Sequence, residues 1–368
     1  MQSPRIAFAH GSNDLYGASR VLLQDVEGLI ALGCVVDVLL PEEGPLTALL
    51  RDAGASVAIK PLRVLRKVAH PTELRPPLTL PAELKRADIV VVWTLALASY
   101  LPVLRLHRKR TVLSVHEILD GSSGRVLIRG ASMLSDVQMA NSQTTRQWMV
   151  DQGCAPSSIV VAYPARPDYD PLPPVSPTPG RLDVLLAGRV NGHKGHHEAV
   201  VAGRIVRENG IDLRLQLLGG SFPGQERYLE SLLAEIADEP WVTFSGEVSD
   251  IRPYLANAQA MLVPTTRPEP FGVVALEAWA AGRRVIASNE GGLAEATRLV
   301  DGVAFVPRDV HDLAAAIERV ARSTELQVGP SADAEVSTAC TTQARQTAWF
   351  DLFELLPPRR SRRHPGRR

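Results

Sequence analysis

Arg267-Pro268-Glu269-Pro270-Phe271-Gly272-Val273-Val274-Ala275-Leu276-Glu277-Ala278-Trp279-Ala280-Ala281-Gly282 decides the reading of this chain. An apolar run, Ala260 to Pro264, precedes it and has the character of a buried strand; the Ala/Leu/Trp segment that ends it has the character of a helix. One carboxylate, Glu269, therefore stands on the connecting loop and a second, Glu277, inside the helix. The intervening Val273 to Leu276 are apolar, so the helix is expected to be buried on most faces and both acids to sit on a rigid mount, as a functional site requires. Pro268 and Pro270 stiffen the loop, and Gly272 permits close approach of a ligand to the backbone. Backbone N–H groups at Phe271, Gly272 and Val273, at a helix start, favour anions or hydroxyls. Read alone, the same acids also fit a first-turn carboxylate complementing the helix dipole and a solvated helix face.

In an alternating α/β chain, strand carboxyl ends and helix amino ends open onto one crevice. Outward from the central stretch, the strand Leu182 to Ala187 leads into Gly188-Arg189-Val190-Asn191-Gly192-His193-Lys194-Gly195. Arg189 and Lys194 flank four residues in a glycine-bearing loop. A guanidinium fork and an ammonium point charge so placed suit a diphosphate, and can take up negative charge developing on a leaving group. Further strands are expected at Leu213 to Leu218 and Val285 to Ser288, a strand and turn over Val242 to Val248, and helices over Tyr228 to Ala237 and Asp312 to Ala321.

The first half repeats the alternation. Ile6 to Ala9, Cys34 to Leu40, Val57 to Lys60, Asp88 to Val92, Arg110 to Val115 and Asp136 to Asn141 read as strands, and apolar runs of this kind belong to parallel sheets covered on both faces. After the first strand, residues 10–19 form a small-residue loop containing Gly17 and Ala18; the GxGxxG dinucleotide spacing is absent. His116, in Val-His-Glu-Ile, follows a strand directly and stands where a ligand would be met, or is a histidine satisfied by nearby backbone.

Glu-x7-Glu within Glu-Pro-Phe-Gly-x-x-x-Leu-Glu-Ala, followed by Arg-Val-Ile-Ala-Ser and Gly291-Gly292-Leu293-Ala294-Glu295, together with Gly-Arg-x4-Lys-Gly, closely resembles the retaining glycosyltransferases of family four. The resemblance is strong over about 182–308 and looser over most of 1–320. It implies the GT-B fold: two Rossmann-like, doubly wound parallel-sheet domains facing across a cleft. It places Glu269 against the donor sugar, Glu277 on the nucleotide ribose, Arg189 and Lys194 on the diphosphate, and backbone near Val248 on the base. Gly17 and Ala18 would lie near diphosphate and acceptor, and His116 would touch the donor sugar. It further implies metal-independent transfer from a UDP- or GDP-linked sugar to a glycan, lipid-linked or small-molecule acceptor, with no cofactor beyond the donor. A GT-B phosphorylase or epimerase, or a catalytically silent sugar-nucleotide binder, are the alternatives.

Composition agrees with two domains: 368 residues, 45% hydrophobic and 22% charged. Zero net charge argues against a surface devoted to nucleic acid, although residues 1–165 carry 17 basic against 14 acidic side chains. Cys34, Cys154 and Cys340 are few and scattered, which suits a reducing compartment. Met1 to His10 lacks a signal-peptide pattern, giving a cytoplasmic expectation. Basic and apolar residues interleave from Pro61 to Val68, suiting either an anionic membrane face or a cap on the sheet, and six arginines crowd Arg359 to Arg368. Prolines dense from Pro164 to Pro179 mark an interdomain linker, and Asp168-Tyr169-Asp170 within it follows no strand that would aim both acids at a metal. Ser323 to Thr338 is expected to be loop and Ala339 to Leu356 one helix, which the GT-B resemblance implies returns to the first domain.

Overall fold

The computed structural model describes residues 4–65, 77–119, 121–168, 170–175, 180–221, 224–323 and 335–358. The chain divides into two compact units. The first comprises Met1–Asn141, Arg146–Tyr163 and Gln343–Arg368; the second comprises Ser142–Thr145 and Pro164–Thr342.

Seven parallel strands build the first unit: β1 (Arg5–His10), β2 (Val35–Leu40), β3 (Ser56–Ile59), β4 (Ile89–Trp93), β5 (Arg110–Val115), β6 (Val137–Ala140) and β7 (Ile159–Val161), in spatial order β3-β2-β1-β4-β5-β6-β7. Ile6 of β1 faces Val36 of β2 and Ile89 of β4 in register, and the order reverses between β1 and β4. That reversal leaves a crevice at the carboxyl ends of these two strands, the place where doubly wound sheets bind ligands. Ala7, Ala9, Val90, Val92, Leu113 and Val115 point into one core layer, while Phe8 turns the other way into an aromatic group with Trp93 and Trp349.

The second unit has six parallel strands: β8 (Arg181–Ala187), β9 (Asp212–Leu218), β10 (Val242–Phe244), β11 (Ala260–Val263), β12 (Arg284–Ser288) and β13 (Val303–Phe305), in order β10-β9-β8-β11-β12-β13. Its reversal falls between β8 and β11, whose registers pair Ala260 with Val184 and Met261 with Leu185. Leu182, Val184, Leu186, Leu215, Leu217 and Leu262 form its core with helices His196–Glu208 and Val310–Arg322. Asp309 caps the latter by accepting the N–H groups of His311 and Asp312 at 3.0 Å, the usual function of an acid at that position.

Several expectations need correction. The strand and turn expected over Val242 to Val248 divide at Phe244, where the strand ends: Gly246 adopts φ 72° and its carbonyl accepts the N–H of Gly219 at 2.7 Å, which turns the chain out of the ladder. The final helix is not continuous. Glu335–Ala339 and Thr342–Leu355 are separate, because the Cys340 carbonyl turns to accept the N–H of Arg166 at 2.7 Å. Helix therefore begins inside the stretch expected to be loop, whose residues 324–334 lie outside the described residues. The proline-rich stretch begins at the junction, Pro164 being where the second unit resumes, and is packed into that unit: Leu172 N–H reaches the Ala281 carbonyl at 3.2 Å, and buried Arg283 donates to the Pro173 carbonyl at 2.8 Å. Residues 176–179 and Tyr169 lie outside the described residues, as do Arg66 to Val68 of the basic, apolar element and the arginine-rich 359–368.

Candidate active site

In the second unit the chemistry gathers where the strand order reverses. The 188–195 loop leaves β8, and the 264–272 loop leaves its neighbour β11. Glycine makes the first approach possible. Gly195 has φ 72°, and a Cβ there would run into the Pro264 carbonyl, so the two loops touch backbone to backbone. Thr266 N–H then donates to the His193 carbonyl at 2.9 Å. Lys194 and Glu269, 75 residues apart in sequence, meet here as an ion pair between Nζ and Oε1.

Glu269 is held from behind by its own backbone. Its carbonyl accepts the N–H of Gly292 at 2.6 Å, and it bridges Gly291, the first residue of helix Gly291–Leu299. Helix Val273–Ala280 starts two residues after the buried Phe271, with Gly272 at φ 91° and no side-chain cap. Two helix starts therefore lie beside the Glu269 loop, and helix starts carry partial positive charge. Glu277 is only 7% exposed within helix Val273–Ala280, whose residues from Ala275 onward are all buried. The helix is thus buried on most faces, as its apolar sequence predicts. Arg189 lies on the same loop as Lys194, and Val248 follows the turn after β10; both are partly buried. Glu295 is committed elsewhere, accepting the N–H groups of Gln143 and Thr144 at 3.1 and 2.9 Å.

His196 is the first residue of the helix after the Lys194 loop, and nothing in the sequence pattern singles it out. It is buried, and its Nε2 has no hydrogen-bond partner among the described residues. Burial first, and then the Lys194 charge, lower its pKa to about 4, so the imidazole is neutral at ordinary pH.

The first unit has a second cluster at the carboxyl ends of β1, β4 and β5. His116 follows β5, and its ring lies 4.4 Å from that of Trp93 at the end of β4. Its Nε2 is 2.8 Å from Ser114 Oγ. Gly17 and Ala18 are not loop residues, as expected, but open helix Gly17–Ala31, and the Ala18 carbonyl accepts the Trp93 indole N–H at 3.0 Å. His10 closes the group from β1, with Nε2 2.9 Å from Ser19 Oγ and its pKa lowered to about 4 by burial, against a smaller opposing pull from Asp14. Glu117, beside His116 in sequence, received no role of its own in the sequence reading. Its carboxylate accepts the N–H groups of Leu95 and His116, both at 3.2 Å, and burial pushes its pKa up to about 7. Thr94 next to it sits at φ 77°, ψ 154°, a region that is almost exclusively glycine's. Such strain persists only where surrounding contacts impose it, and Glu117 contributes those contacts.

The two units match two family models. One, described as Glycosyl transferases group 1, matches residues 181–323; the other, Glycosyltransferase Family 4, matches residues 16–166. The chain belongs to the family-four glycosyltransferases. Glycogen synthase of Mycobacterium tuberculosis is 35% identical to this family member over 147 residues, 39% of the chain and 35% of the relative. A D-inositol 3-phosphate glycosyltransferase of Pseudarthrobacter chlorophenolicus is 27% identical over 253 residues, 66% of the chain and 56% of the relative. The matched region is thus about a third to a half of each relative's length. Among solved structures, Anabaena HepE in complex with UDP and glucose superposes with TM-score 0.71 at 21% identity, covering 95% of this chain and 97% of HepE. Sucrose-phosphate synthase of Thermosynechococcus elongatus gives 0.70 at 18% identity, covering 95% and 98%. These likenesses establish the GT-B fold for this family-four chain.

Proposed function

We propose that the chain is a retaining, metal-independent glycosyltransferase that moves a hexosyl group from a UDP- or GDP-linked sugar to a hydroxyl of a glycan, glycolipid or small molecule. The observation that carries this reading is the Lys194–Glu269 pair at the point where the second sheet reverses. It sets a cation suited to a diphosphate beside a carboxylate suited to the sugar attached to that diphosphate. Arg189 and Lys194 would hold the diphosphate, helped by backbone N–H groups at Phe271, Gly272 and Val273. Glu277 would hold the ribose, backbone near Val248 the base, and Glu269 the sugar. Gly17, Ala18 and His116 would serve the reaction from the first unit.

In the step we favour, the bond from the anomeric carbon to the diphosphate oxygen breaks and the bond to the acceptor oxygen forms on the same face of the sugar. The acceptor's proton passes to the departing phosphate oxygen. Arg189 and Lys194 offset the charge that develops there, the type of electrostatic assistance that contributes most in such sites. Glu269 is not assigned as a covalent nucleophile.

Binding of UDP, GDP and ADP, each with and without common sugars, tests the reading by thermal shift and calorimetry on wild type and on Arg189→Ala. A ligand that binds only the folded state at a hundred times its Kd stabilises by about 2.7 kcal/mol. A shift selective for one nucleotide and abolished in the variant supports the proposal and identifies the base. No shift with any nucleotide contradicts the donor site.

A further inference from the structure

The C-terminal helix Thr342–Leu355 reaches the surroundings of His116 by two separate lines of contact, both within the first unit. One is aromatic. The Trp349 ring lies 6.0 Å from Phe8, Phe8 lies 5.7 Å from Trp93, and Trp93 lies 4.4 Å from His116. The other is polar. Arg345 is 3% exposed and grips Asp25 with Nε at 2.5 Å and Nη2 at 2.8 Å, while Nη1 donates to the carbonyls of Ala162 and Tyr163. Its Nη2 also lies 3.7 Å from Met139 Sδ, and Ser114 Oγ lies 3.7 Å from the same sulfur and 2.8 Å from His116 Nε2.

Ser114 has a single hydroxyl hydrogen and two acceptors within reach, Met139 Sδ and His116 Nε2. Arg345 presents a charged donor to the sulfur, which makes it the poorer target for a neutral hydroxyl. The hydrogen then turns to His116 Nε2, and the ring proton resides on Nδ1. We infer that Arg345 is a positioning residue for His116: held by Asp25, it acts through Met139 and Ser114 to fix the imidazole as its Nδ1–H tautomer. That state leaves the Nδ1 proton for a substrate hydroxyl or phosphate oxygen, so the inference rests on the transferase reading for its purpose, though not for its geometry.

Charge works in the same direction. The groups facing His116 are His10 from β1, Arg345 from the C-terminal helix and its neighbour Glu117, with Asp14 acting on His10 and Asp25 behind Arg345. Burial holds the His116 pKa well below the usual histidine range, and Arg345 and then His10 lower it further.

The test is nitrogen and carbon NMR of His116 in the full chain without substrate, over pH 4 to 8, on wild type, Arg345→Lys and Asp25→Asn/Arg345→Met. The double substitution removes both buried charges together, so no buried charge is left unpaired. Wild type should show the Nδ1–H tautomer and no protonation of His116 near pH 6. Arg345→Lys, which keeps the charge, should retain both features. The double variant should raise the His116 pKa toward the ordinary histidine range. The acid limb of kcat/KM should move upward with it. An Nε2–H tautomer in wild type overturns the inference, as does an unchanged His116 titration in a double variant whose near-UV circular dichroism is native. The wild-type and Lys arms decide the matter if the double variant does not fold. Absence of transferase activity bears on the proposed function alone, since the NMR arms need no turnover.

Discussion

Replacing Gly195 with alanine should damage this protein in two separable ways. Gly195 has φ 72°, and an alanine forced into the left-handed region costs about 1–2 kcal/mol. Its Cβ would also overlap the Pro264 carbonyl, a rigid backbone atom that cannot swing aside as a side chain end could. Relieving such an overlap by shifting backbone costs about 1–3 kcal/mol more. Gly210 provides the control: φ is 89°, but no atom lies within 4 Å of its added Cβ, so Gly210→Ala should show the strain alone. In a unit of this size 1 kcal/mol moves Tm by about 2–4 °C. Gly195→Ala should therefore melt about 4–20 °C below wild type and Gly210→Ala within about 8 °C of it. Nucleotide affinity separates the two further. Parting the loops draws Lys194 from Glu269, so Gly195→Ala should bind its nucleotide at least ~10-fold more weakly, as befits a misplaced charged contact, while Gly210→Ala binds normally. Differential scanning calorimetry and titration calorimetry read both effects. Equal melting temperatures and equal affinities in the two variants would refute the contact-based argument.

Lys194→Ala should weaken nucleotide binding by roughly 10- to 100-fold, the scale of one charge-assisted contact, whereas Glu269→Gln should bind nucleotide and lose turnover; titration calorimetry and initial rates distinguish them. Asp25→Ala leaves the Arg345 guanidinium buried without its carboxylate and should destabilise by about 3–5 kcal/mol in urea unfolding. His10 has its folded pKa lowered from 6.5 to about 4, so its contribution is present above pH 6.5 and is lost as pH falls toward 4. Glu117 runs the other way: its folded pKa is raised from 4.5 to about 7, so the stability linked to its protonation is present below pH 4.5 and lost as pH rises through 7. Glu117→Gln should accordingly gain Tm relative to wild type at pH 8 more than at pH 5, a trend that melting curves at the two pH values would check.

The strands that could be read from sequence are those buried on both faces, such as Arg110–Val115, whose apolar character is continuous. β7 and β13 were not legible. Each is three residues long, at a sheet edge, and only partly buried, so neither length nor pattern distinguishes them from loop. At the site, residue types and spacing pointed to Glu269, Lys194 and His116 individually. Their partners could not be read, because a pairing such as Lys194 with Glu269 exists only once β8 and β11 are neighbours in space. Glu117 stood beside His116 in sequence, but its significance lies in the strained Thr94 conformation, which leaves no trace in residue order. Arg345 is more remote still: nothing local marks an arginine 229 positions after His116 as part of the same cluster.

The Asp25–Arg345 clamp also imposes an order on biosynthesis. Asp25 emerges 320 residues before its partner. At about 5–20 residues per second, the helix Gly17–Ala31 waits some 16–64 s for the arginine that neutralises its buried carboxylate. Residues 164–342 are translated in that interval, so the second unit has all its strands while the first still lacks its closing helix. The first unit, begun first, thus gains its closing helix only after the second unit's strands are made.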